Sequence, residues 1–348
     1  MSSYSITEAK NRTDYEMLSR DSDSFLPFTQ SYAFGEWQVA SGRKVWRFVI
    51  ENGGKQVGFF QIIKYPLAFG KSYLYIPHGP VLFEKLDERF LQSLKETLSC
   101  IEKKEKAVFT RFDFFPVVAD QKIFHKYFNQ PSAYAERGSY FQPKVDWVID
   151  LSKDEEALLG NMMKDGRYSI NLASRKGTTA EMVAGDDMQE YFDIFYGLMQ
   201  ETAKRDGFRL HPEEYYRNIF GTAGNGNADI ALFIAENNKK VLSAHLIAYF
   251  GRTAFDLYGG SSGDSRELMP NYALQWQAIR KSKLKGCLLY NFGAVEADGG
   301  RSGKFGGISL FKQKFGGEIL NYGQSFDSVS SQFWYNLYNF RKLVKRRN

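Results

Sequence analysis

The apolar positions of the first half of the chain predict a β-hairpin, a third strand, a helix and a fourth strand. The hairpin turns at Asn52-Gly53-Gly54, where asparagine and glycine accept the backbone angles of a tight turn. The helix has apolar residues every three or four positions, acidic residues in its first turn and lysines near its end. The predicted elements are strands 44–51, 56–65 and 72–76, a helix at 86–106 and a strand at 107–115.

The same order of elements recurs about 180 residues further along the chain. Local matches keep this spacing, since Val57 aligns with Val241 and Phe112 with Phe292. The repeated elements are strands 231–236, 240–250 and 253–258, a helix at 271–285 and a strand at 288–292. We therefore expect a duplicated unit, in which each copy is a mixed sheet with helices packed on it.

Helices are also predicted between the two copies and after the second copy. Ser152 followed by Glu155 has the spacing of a capping box and predicts a helix start, and Pro212 suits the first turn of another helix. A further helix is predicted at 186–205. The last helix is predicted at 332–345 from a stripe of four apolar residues. The stripe consists of Phe333, Leu337, Phe340 and Val344.

Composition narrows the class of protein. The 348 residues are 43% hydrophobic and 25% charged, which excludes an intrinsically disordered chain. Cys100 and Cys287 lie far apart in the sequence, so neither a disulfide framework nor a cysteine-based zinc site is expected. The polar N-terminus has no signal-peptide pattern, and no apolar run has the length of a membrane span. These features predict a cytoplasmic protein.

The charge is basic, with a formal net value of +6, and cations cluster at the end of the chain. A tail of this kind can contact phosphate or a membrane surface, or it can be a solvated helix end whose cations complement the helix dipole. Both interpretations stay open. The basic residues of the tail are Lys342, Lys345, Arg346 and Arg347.

The histidines and glycines give little support to nucleophilic, metal or nucleotide chemistry. His78, His125, His211 and His245 lie in no zinc-protease or nucleophile-elbow motif. The glycine-rich segment 299–307 matches neither a P-loop nor a dinucleotide-binding motif, so it is either a mobile loop or a close approach to a ligand.

Two lysines follow that glycine-rich segment. In a strand, Lys312 and Lys314 lie on one face, with Phe311 and Gln313 on the other. A lysine in this position can stabilise an oxyanion, or both lysines can be solvated residues of an edge strand.

Motifs spread over most of the chain resemble those of one enzyme family. Their order, with YGGSS before MPNYALQW and then FKQKFGG, is what makes the likeness specific. The segments are FTQSYAFGEW (28–37), YIPHGPV (75–81), TRFDFFP (110–116), QPKVDWVIDLSKDEEALLGNMMKDGRYSI (142–170), RDGFRLHPEEYY (205–216), LYGGSSGDSRELMPNYALQWQAI (257–279) and GGISLFKQKFGG (306–317). The chain is identified as a member of the FemABX family, non-ribosomal peptidyltransferases that add amino acids from aminoacyl-tRNA to peptidoglycan precursors.

The resemblance implies an α/β fold with mixed sheets, made of two tandem GNAT-like acyltransferase domains. They are expected at residues 1–147 and 148–317, with 318–348 returning to complete the first domain. It also implies an enzyme that needs no cofactor and no metal, because the ester of aminoacyl-tRNA is already activated.

The resemblance assigns roles to residues around the reacting ester. Lys312 takes the oxyanion role, and Phe311 shapes a channel for the acceptor end of the tRNA. Asp113 holds or deprotonates the attacking amine of the stem peptide. The structural alternative for Asp113 is an ordinary carboxylate at a strand end, paired with Arg111 or another cation.

Further residues are implied in binding the muramyl precursor. Arg209 or His211 binds its diphosphate, and the resemblance does not decide between them. Tyr216 and Tyr258 contact the sugar–peptide portion, with simple packing as the alternative for each.

The chain departs from the family near its N-terminus, where the family often has a phosphate-binding lysine. Gln38 stands at that position, and Phe34 replaces a tryptophan. Arg43 or Lys44 is the candidate substitute for the missing cation.

The implied partners are aminoacyl-tRNA and a muramyl-pentapeptide precursor, soluble or lipid-linked. DNA is not expected as a partner, peripheral membrane contact is possible, and the oligomeric state stays open. Two alternative functions are an acyl-CoA-dependent N-acyltransferase and a non-catalytic envelope- or RNA-binding module. Candidate tRNA contacts are Lys164, Arg167, Arg175 and Lys176.

Overall fold

The computed structural model describes residues 4–19, 22, 25–85, 87–113, 121–129, 142–224, 229–296, 306–322 and 325–345. The strands are β1 Tyr4–Glu8, β2 Val45–Asn52, β3 Lys55–Pro66, β4 Ser72–Ile76, β5 Val81–Leu82, β6 Ala107–Asp113, β7 Val145–Asp150, β8 Thr179–Ala184, β9 Ile230–Asn237, β10 Lys240–Phe250, β11 Thr253–Ser261, β12 Leu289–Ala294, β13 Glu318–Asn321 and β14 Ser325–Val329. The helices are α1 Arg12–Tyr15, α2 Tyr32–Ala40, α3 Glu88–Lys104, α4 Glu155–Asn161, α5 Lys164–Arg175, α6 Phe192–Asp206, α7 Glu213–Gly224, α8 Pro270–Leu284, α9 Gly306–Gln313 and α10 Gln332–Lys345.

The chain forms two compact units. The described residues of 1–20, 29–144 and 321–348 form the first unit, and those of 21–28 and 145–320 form the second. The chain therefore leaves the first unit and returns to it with β14 and α10. Strand β13 neighbours β7 in the sheet of the second unit, which continues that sheet beyond residue 317.

Each unit contains one mixed sheet, and the two sheets share a strand order. The first runs β1-β2-β3-β4-β6-β14, with β5 paired to β3, and the second runs β8-β9-β10-β11-β12-β7-β13. In both, a hairpin is followed by a strand, a helix and a strand, and the last two strands are parallel neighbours, β4 with β6 and β11 with β12. The predicted recurrence of the hairpin–strand–helix–strand order is thus confirmed.

The helix of each repeat covers one face of its sheet. In α3 the side chain of Asp87 caps the start by accepting from the backbone N–H of Phe90, and the helix buries Phe90, Leu94 and Leu98. These residues pack in the core of the first unit with Phe60 and other side chains of the sheet. Helix α8 packs in the same way in the second unit. Its buried apolar contacts include Leu274, Ala278 and Ile279.

The helices between the repeats differ in part from the prediction. Ser152 does not cap a helix, because its N–H donates to the side chain of Asp150, and Asp154 caps α4 instead. The helical run then breaks at Met162 and Met163 before α5 begins. The predicted helix 186–205 begins as a 3₁₀ segment, Gly185–Tyr191, and continues as α6.

A buried ion pair attaches the returning segment to the first sheet. Both oxygens of the Asp327 carboxylate accept hydrogen bonds from the guanidinium of Arg111, at 2.7 Å each, and neither side chain is more than 2% exposed. Tyr335 of α10 donates to the same carboxylate. The suggested pairing of Arg111 with Asp113 is therefore wrong: in the register of β6 and β14, Arg111 lies opposite Asp327, while Asp113 lies opposite Ser325.

One glycine of the YGGSS segment is required by helix packing. A Cβ atom on Gly260 of β11 would lie 2.5–2.7 Å from backbone atoms of Leu198 and Met199 in α6. Real Cβ atoms do not approach backbone this closely, so any larger residue must push α6 away from the sheet.

Gly260→Ala is expected to lower the free energy of unfolding by about 1–3 kcal/mol through this overpacking. Gly197→Ala is the matched control, because Gly197 lies in the same helix, no described atom beyond its own helix backbone and chain neighbours lies within 4 Å of its Cβ position, and alanine favours a helix there. Urea denaturation of both variants measures the difference. A Gly260→Ala variant as stable as the wild type would contradict the assigned contact.

Candidate functional site

Lys312 lies in a helix, so the prediction of a strand at this point is wrong. Gly306 and Ser309 of α9 are buried, and Lys312 follows one turn later on the same side of the helix. Phe311 packs on Tyr272 and Phe315, with ring centroids 5.1 and 5.3 Å apart. The buried positions of this segment therefore recur at helical spacing. The alternating Phe-Lys-Gln-Lys-Phe sequence fits a strand equally well.

The two lysines consequently point in different directions. Lys314 forms a 2.8 Å ion pair with Asp165 of α5 near the surface. The ammonium of Lys312 instead donates to the backbone carbonyl of Ala294, at 2.6 Å, at the end of β12. Only Lys312 is held against the polar interior of the second unit.

A β-bulge in β12 shapes the position that receives the Lys312 ammonium. Asn291 pairs with Val148 but Ala294 pairs with Asp146, so one extra residue is accommodated in β12. Gly293 lies in this bulge with φ at 74°, a conformation that favours glycine, and its Cβ position is 4.0 Å from Lys312 Nζ. The bulge is thus part of the lysine's surroundings.

Partial burial shifts the pKa of Lys312. Desolvation lowers the pKa of its ammonium, and the negative charges of Asp256 and Asp146 offset part of that effect. The side chain therefore gives up its proton more readily than an exposed lysine does.

A partly buried hydrogen-bond network holds Asp256, and the sequence analysis assigned no role to this residue. Gln275 donates to the Asp256 carboxylate at 2.7 Å, and Tyr290 donates to Gln275 at 2.7 Å. His245 Nδ1 lies 2.9 Å from the same carboxylate. His245 faces Gly259 in the paired strands, and a Cβ on Gly259 would overlap its ring. The YGGSS glycines were the available signal, since glycine in a strand marks close approach.

Asp113 lies at the end of β6 in the first unit, where it is buried. Its carboxylate accepts from Tyr75 at 2.6 Å and from the hydroxyl of Ser325. Burial, followed by the charge of Asp113, raises the pKa of Tyr75 well above its usual value. Tyr75 therefore remains a neutral donor, and Asp113 is held by two hydroxyls. Residues 114–120, which follow it, lie outside the described residues.

Three of the residues implicated in precursor binding meet in one aromatic cluster. Tyr216 is buried and packs edge-to-face on Tyr258 at 5.3 Å, and the exposed ring of His211 lies 6.3 Å from Tyr258. Tyr215 completes the cluster, 4.2 Å from the ring of His211, and was missed by the sequence analysis. Arg209, two residues before His211, is exposed.

Gln38 and Arg43 hold each other in the first unit. Gln38 is buried in α2, and its side-chain oxygen accepts from Arg43 at 2.5 Å. The guanidinium of Arg43 lies 4.9 Å from the centroid of the Tyr65 ring. Lys44 pairs with Glu105 at 2.6 Å. Arg43 and Lys44 thus each have a local partner, whereas the buried amide nitrogen of Gln38 has no hydrogen-bond partner among the described residues.

The predicted tRNA-contacting cations do not share one environment. Lys164, Arg175 and Lys176 are exposed on α5 or directly after it. Arg167 instead donates to backbone carbonyls at the end of α4, including that of Leu159 at 3.2 Å. Its guanidinium therefore satisfies a helix end.

Among the described residues, no group of three His, Cys, Asp or Glu side chains has the arrangement of a metal site. None of the helices built from those residues combines the length and the apolar character needed to cross a membrane.

The sequence of the chain is similar to that of staphylococcal proteins. Proteins named lipid II:glycine glycyltransferase are 23% identical in Staphylococcus aureus, over 82% of this chain and 83% of theirs. The Staphylococcus epidermidis proteins of that name are also 23% identical, over 57% of this chain. The chain spans about three fifths (61%) of the length of the S. epidermidis relatives.

Solved structures show the fold. The crystal structure of FemX matches with a TM-score of 0.81 at 19% identity, over 96% of this chain and 99% of that chain. The C-terminal domain of a putative lysylphosphatidylglycerol synthetase from Agrobacterium fabrum matches with a TM-score of 0.53 at 14% identity, over 96% and 94%. The predicted fold class, two tandem mixed α/β domains, is confirmed.

The family assignment rests on more than half of the chain. The sequence profile described as the FemAB family matches residues 131–238 and 227–343. This match confirms the resemblance seen in the motifs, and it covers α9 with Lys312 as well as the YGGSS strand. The chain belongs to the FemAB family.

Proposed function

We propose that the chain is an aminoacyltransferase that moves an amino acid from aminoacyl-tRNA to the stem-peptide amine of a peptidoglycan precursor. Membership of the FemAB family and the names of the staphylococcal relatives support the acceptor class. The observation that carries the chemistry is the Lys312 ammonium, held by the Ala294 carbonyl at a β-bulge.

The protein has to stabilise charge in this reaction and does not have to supply a nucleophile, because the acceptor amine is the nucleophile. The amine nitrogen attacks the ester carbonyl, a tetrahedral intermediate forms, and its collapse breaks the C–O bond to the ribose. The amine loses a proton and the ribose hydroxyl gains one. The negative charge develops on the former carbonyl oxygen, and a cation fixed beside it lowers the barrier.

Lys312 is suited to this role because an ammonium has three N–H donors. Among the described residues, one donor goes to Ala294, which leaves two for an oxyanion. Desolvation of the ammonium strengthens its interaction with a developing negative charge, and the contact to Ala294 keeps it from rotating freely.

The remaining residues are proposed for substrate binding. Asp113 binds the attacking amine, and Phe311 borders the acceptor end of the tRNA. His211 or Arg209 binds the diphosphate, and Tyr258 contacts the sugar–peptide portion. Tyr216 is buried and acts on that portion through Tyr258, against whose ring it packs beside the exposed His211.

Other groups complete the proposal. Gln38 and Arg43 act together on phosphate, because the guanidinium is held by the Gln38 amide. The exposed cations Lys164, Arg175 and Lys176 contact tRNA phosphates.

A transfer assay tests the function. The purified chain is incubated with a panel of tRNAs, each charged with one amino acid, and with a muramyl-pentapeptide acceptor, soluble or lipid-linked. Mass spectrometry should show an acceptor heavier by one residue with at least one charged tRNA. Failure with every charged tRNA, together with transfer from acetyl-CoA, would replace the proposal with acyl-CoA-dependent acylation.

Lys312→Met is expected to lower kcat about 10²–10³-fold, as removal of one oxyanion donor does in other enzymes. Binding of the precursor, measured by calorimetry, should stay within twofold, because the charge matters mainly in the transition state. Lys314→Met is the matched control, since its lysine pairs with Asp165 at the surface and should keep nearly full turnover. Equal losses in both variants would argue against the oxyanion role.

The lowered pKa of Lys312 predicts an alkaline limit to turnover. Only the protonated lysine stabilises an oxyanion, so kcat should fall as pH rises through a value below the usual lysine range. Lys312→Arg keeps its charge throughout this range and should remove that alkaline fall, even if its maximum is lower. A pH–kcat profile on a stable aminoacyl-ester donor measures both. The same alkaline limb in Lys312→Arg would assign it to another group.

A further inference from the structure

The apolar stripe of α10 is exposed on the surface of the first unit. Phe333 is 72% exposed, Phe340 62% and Val344 45%, and Leu337 is half-buried. The helix packs on the sheet through other residues, because the rings of Tyr335 and Tyr338 lie 5.3 and 5.0 Å from Phe109. The helix therefore buries its tyrosines and presents its most apolar face outward.

A neighbouring turn adds a further exposed ring. Phe69 is 76% exposed and has φ 60° and ψ 33°, the left-handed region that a bulky residue rarely adopts. Its ring lies 5.7 Å from Trp334 of α10, and Trp334 lies 5.5 Å from Phe333. Two separate elements thus form one apolar surface. We call it the docking face, and it consists of Phe69, Phe333, Leu337, Phe340 and Val344.

Cations border the docking face. The ammonium of Lys71 lies 5.3 Å from the Trp334 ring, and Arg341 is exposed next to Phe340. Lys342 lies over the buried ring of Tyr338, on the same side of the helix as this pair. A pocket of about 200 Å³ between the turn and the helix is lined by Lys71, Arg341 and Lys342 together with apolar residues. Neither α10 nor residues 67–71 contain an acidic residue.

We propose that the docking face binds an anionic lipid bilayer. Helix α10 would lie in the plane of the interface, with its stripe at the boundary of headgroups and acyl chains and with Lys71, Arg341 and Lys342 at lipid phosphates. An exposed apolar face with basic residues along one edge, formed by two elements that carry no carboxylate of their own, has the composition of an interfacial helix.

The charge and shape favour a bilayer over two other occupants. A second copy of the chain, docked symmetrically, would bring the same cations against each other. Bound RNA would gain stacking from the rings but nothing from Leu337 and Val344, which have no π-face. The inference deepens the proposed function, on which its biological meaning rests, because a lipid-linked acceptor lies in such a membrane.

Vesicle co-flotation tests the docking face with the full chain. Wild-type protein should float with vesicles of phosphatidylcholine and phosphatidylglycerol, less so at high salt, and hardly with phosphatidylcholine alone. The triple variant Phe69→Ser, Phe333→Ser and Phe340→Ser should bind the mixed vesicles at least tenfold more weakly. Leu284→Ser is the control, since Leu284 is 79% exposed on α8 of the second unit and should not affect flotation.

Several results would overturn the inference. Wild-type protein that fails to float, or a triple variant that floats as the wild type does, contradicts it. Loss of tRNA binding in the triple variant with flotation unchanged would assign the face to RNA. Loss of self-association in sedimentation, with flotation unchanged, would assign it to a second copy.

Turnover on a soluble muramyl-pentapeptide separates the two proposals. The triple variant should keep wild-type turnover on this acceptor, because the changed residues are not among those proposed for catalysis or binding. Transfer without flotation refutes only the docking face, and flotation without transfer from any charged tRNA refutes only the aminoacyltransferase.

Discussion

The ion pair between Arg111 and Asp327 is the interaction on which the first unit depends. Burying two charges is unfavourable unless the geometry is good and the other polar atoms are satisfied. Here the contact is bidentate, and Tyr335 adds a third hydrogen bond to the carboxylate. The same carboxylate therefore joins β6, β14 and α10. Because Tyr335 must face it, the rotation of α10 about its axis is set, and Phe333 and Phe340 face outward.

Local patterns predicted most of the repeated elements but not the segments that complete each sheet. Hairpins and their following helices are visible because alternation, turn residues and apolar stripes are short-range signals. Strand β14 contains polar residues such as Ser325 and Asp327, whose burial depends on partners more than 200 positions away in the sequence. The α10 stripe was identified correctly as helical, but sequence alone did not indicate that the tyrosines, and not the stripe, would be buried.

The surroundings of Lys312 show the same limit. The pattern of polar and apolar residues around Lys312 fits both a strand and a helix. The contacts of the neighbouring Phe311 ring with Tyr272 and Phe315 favour the helix. The resemblance singled out Lys312 but gave no reason for its chemistry. That reason lies in Gly293, Ala294 and Asp256. These residues are distant from Lys312 in the sequence, and none of them belongs to a recognisable catalytic motif. Gly259 and Gly260 belong to one motif but make room for different groups. Gly259 allows close approach of the His245 ring, and Gly260 allows close approach of a helix backbone.

The return of the chain to the first unit has a consequence for biosynthesis. Strands β1 to β6 are made early, yet Arg111 has no Asp327 to pair with until β14 is made, more than 200 residues later. Strand β13 completes the second sheet only six residues before Asp327. The usual order of co-translational folding, N-terminal domain first, therefore does not hold here, because the first unit cannot complete its sheet until the whole second unit has been made.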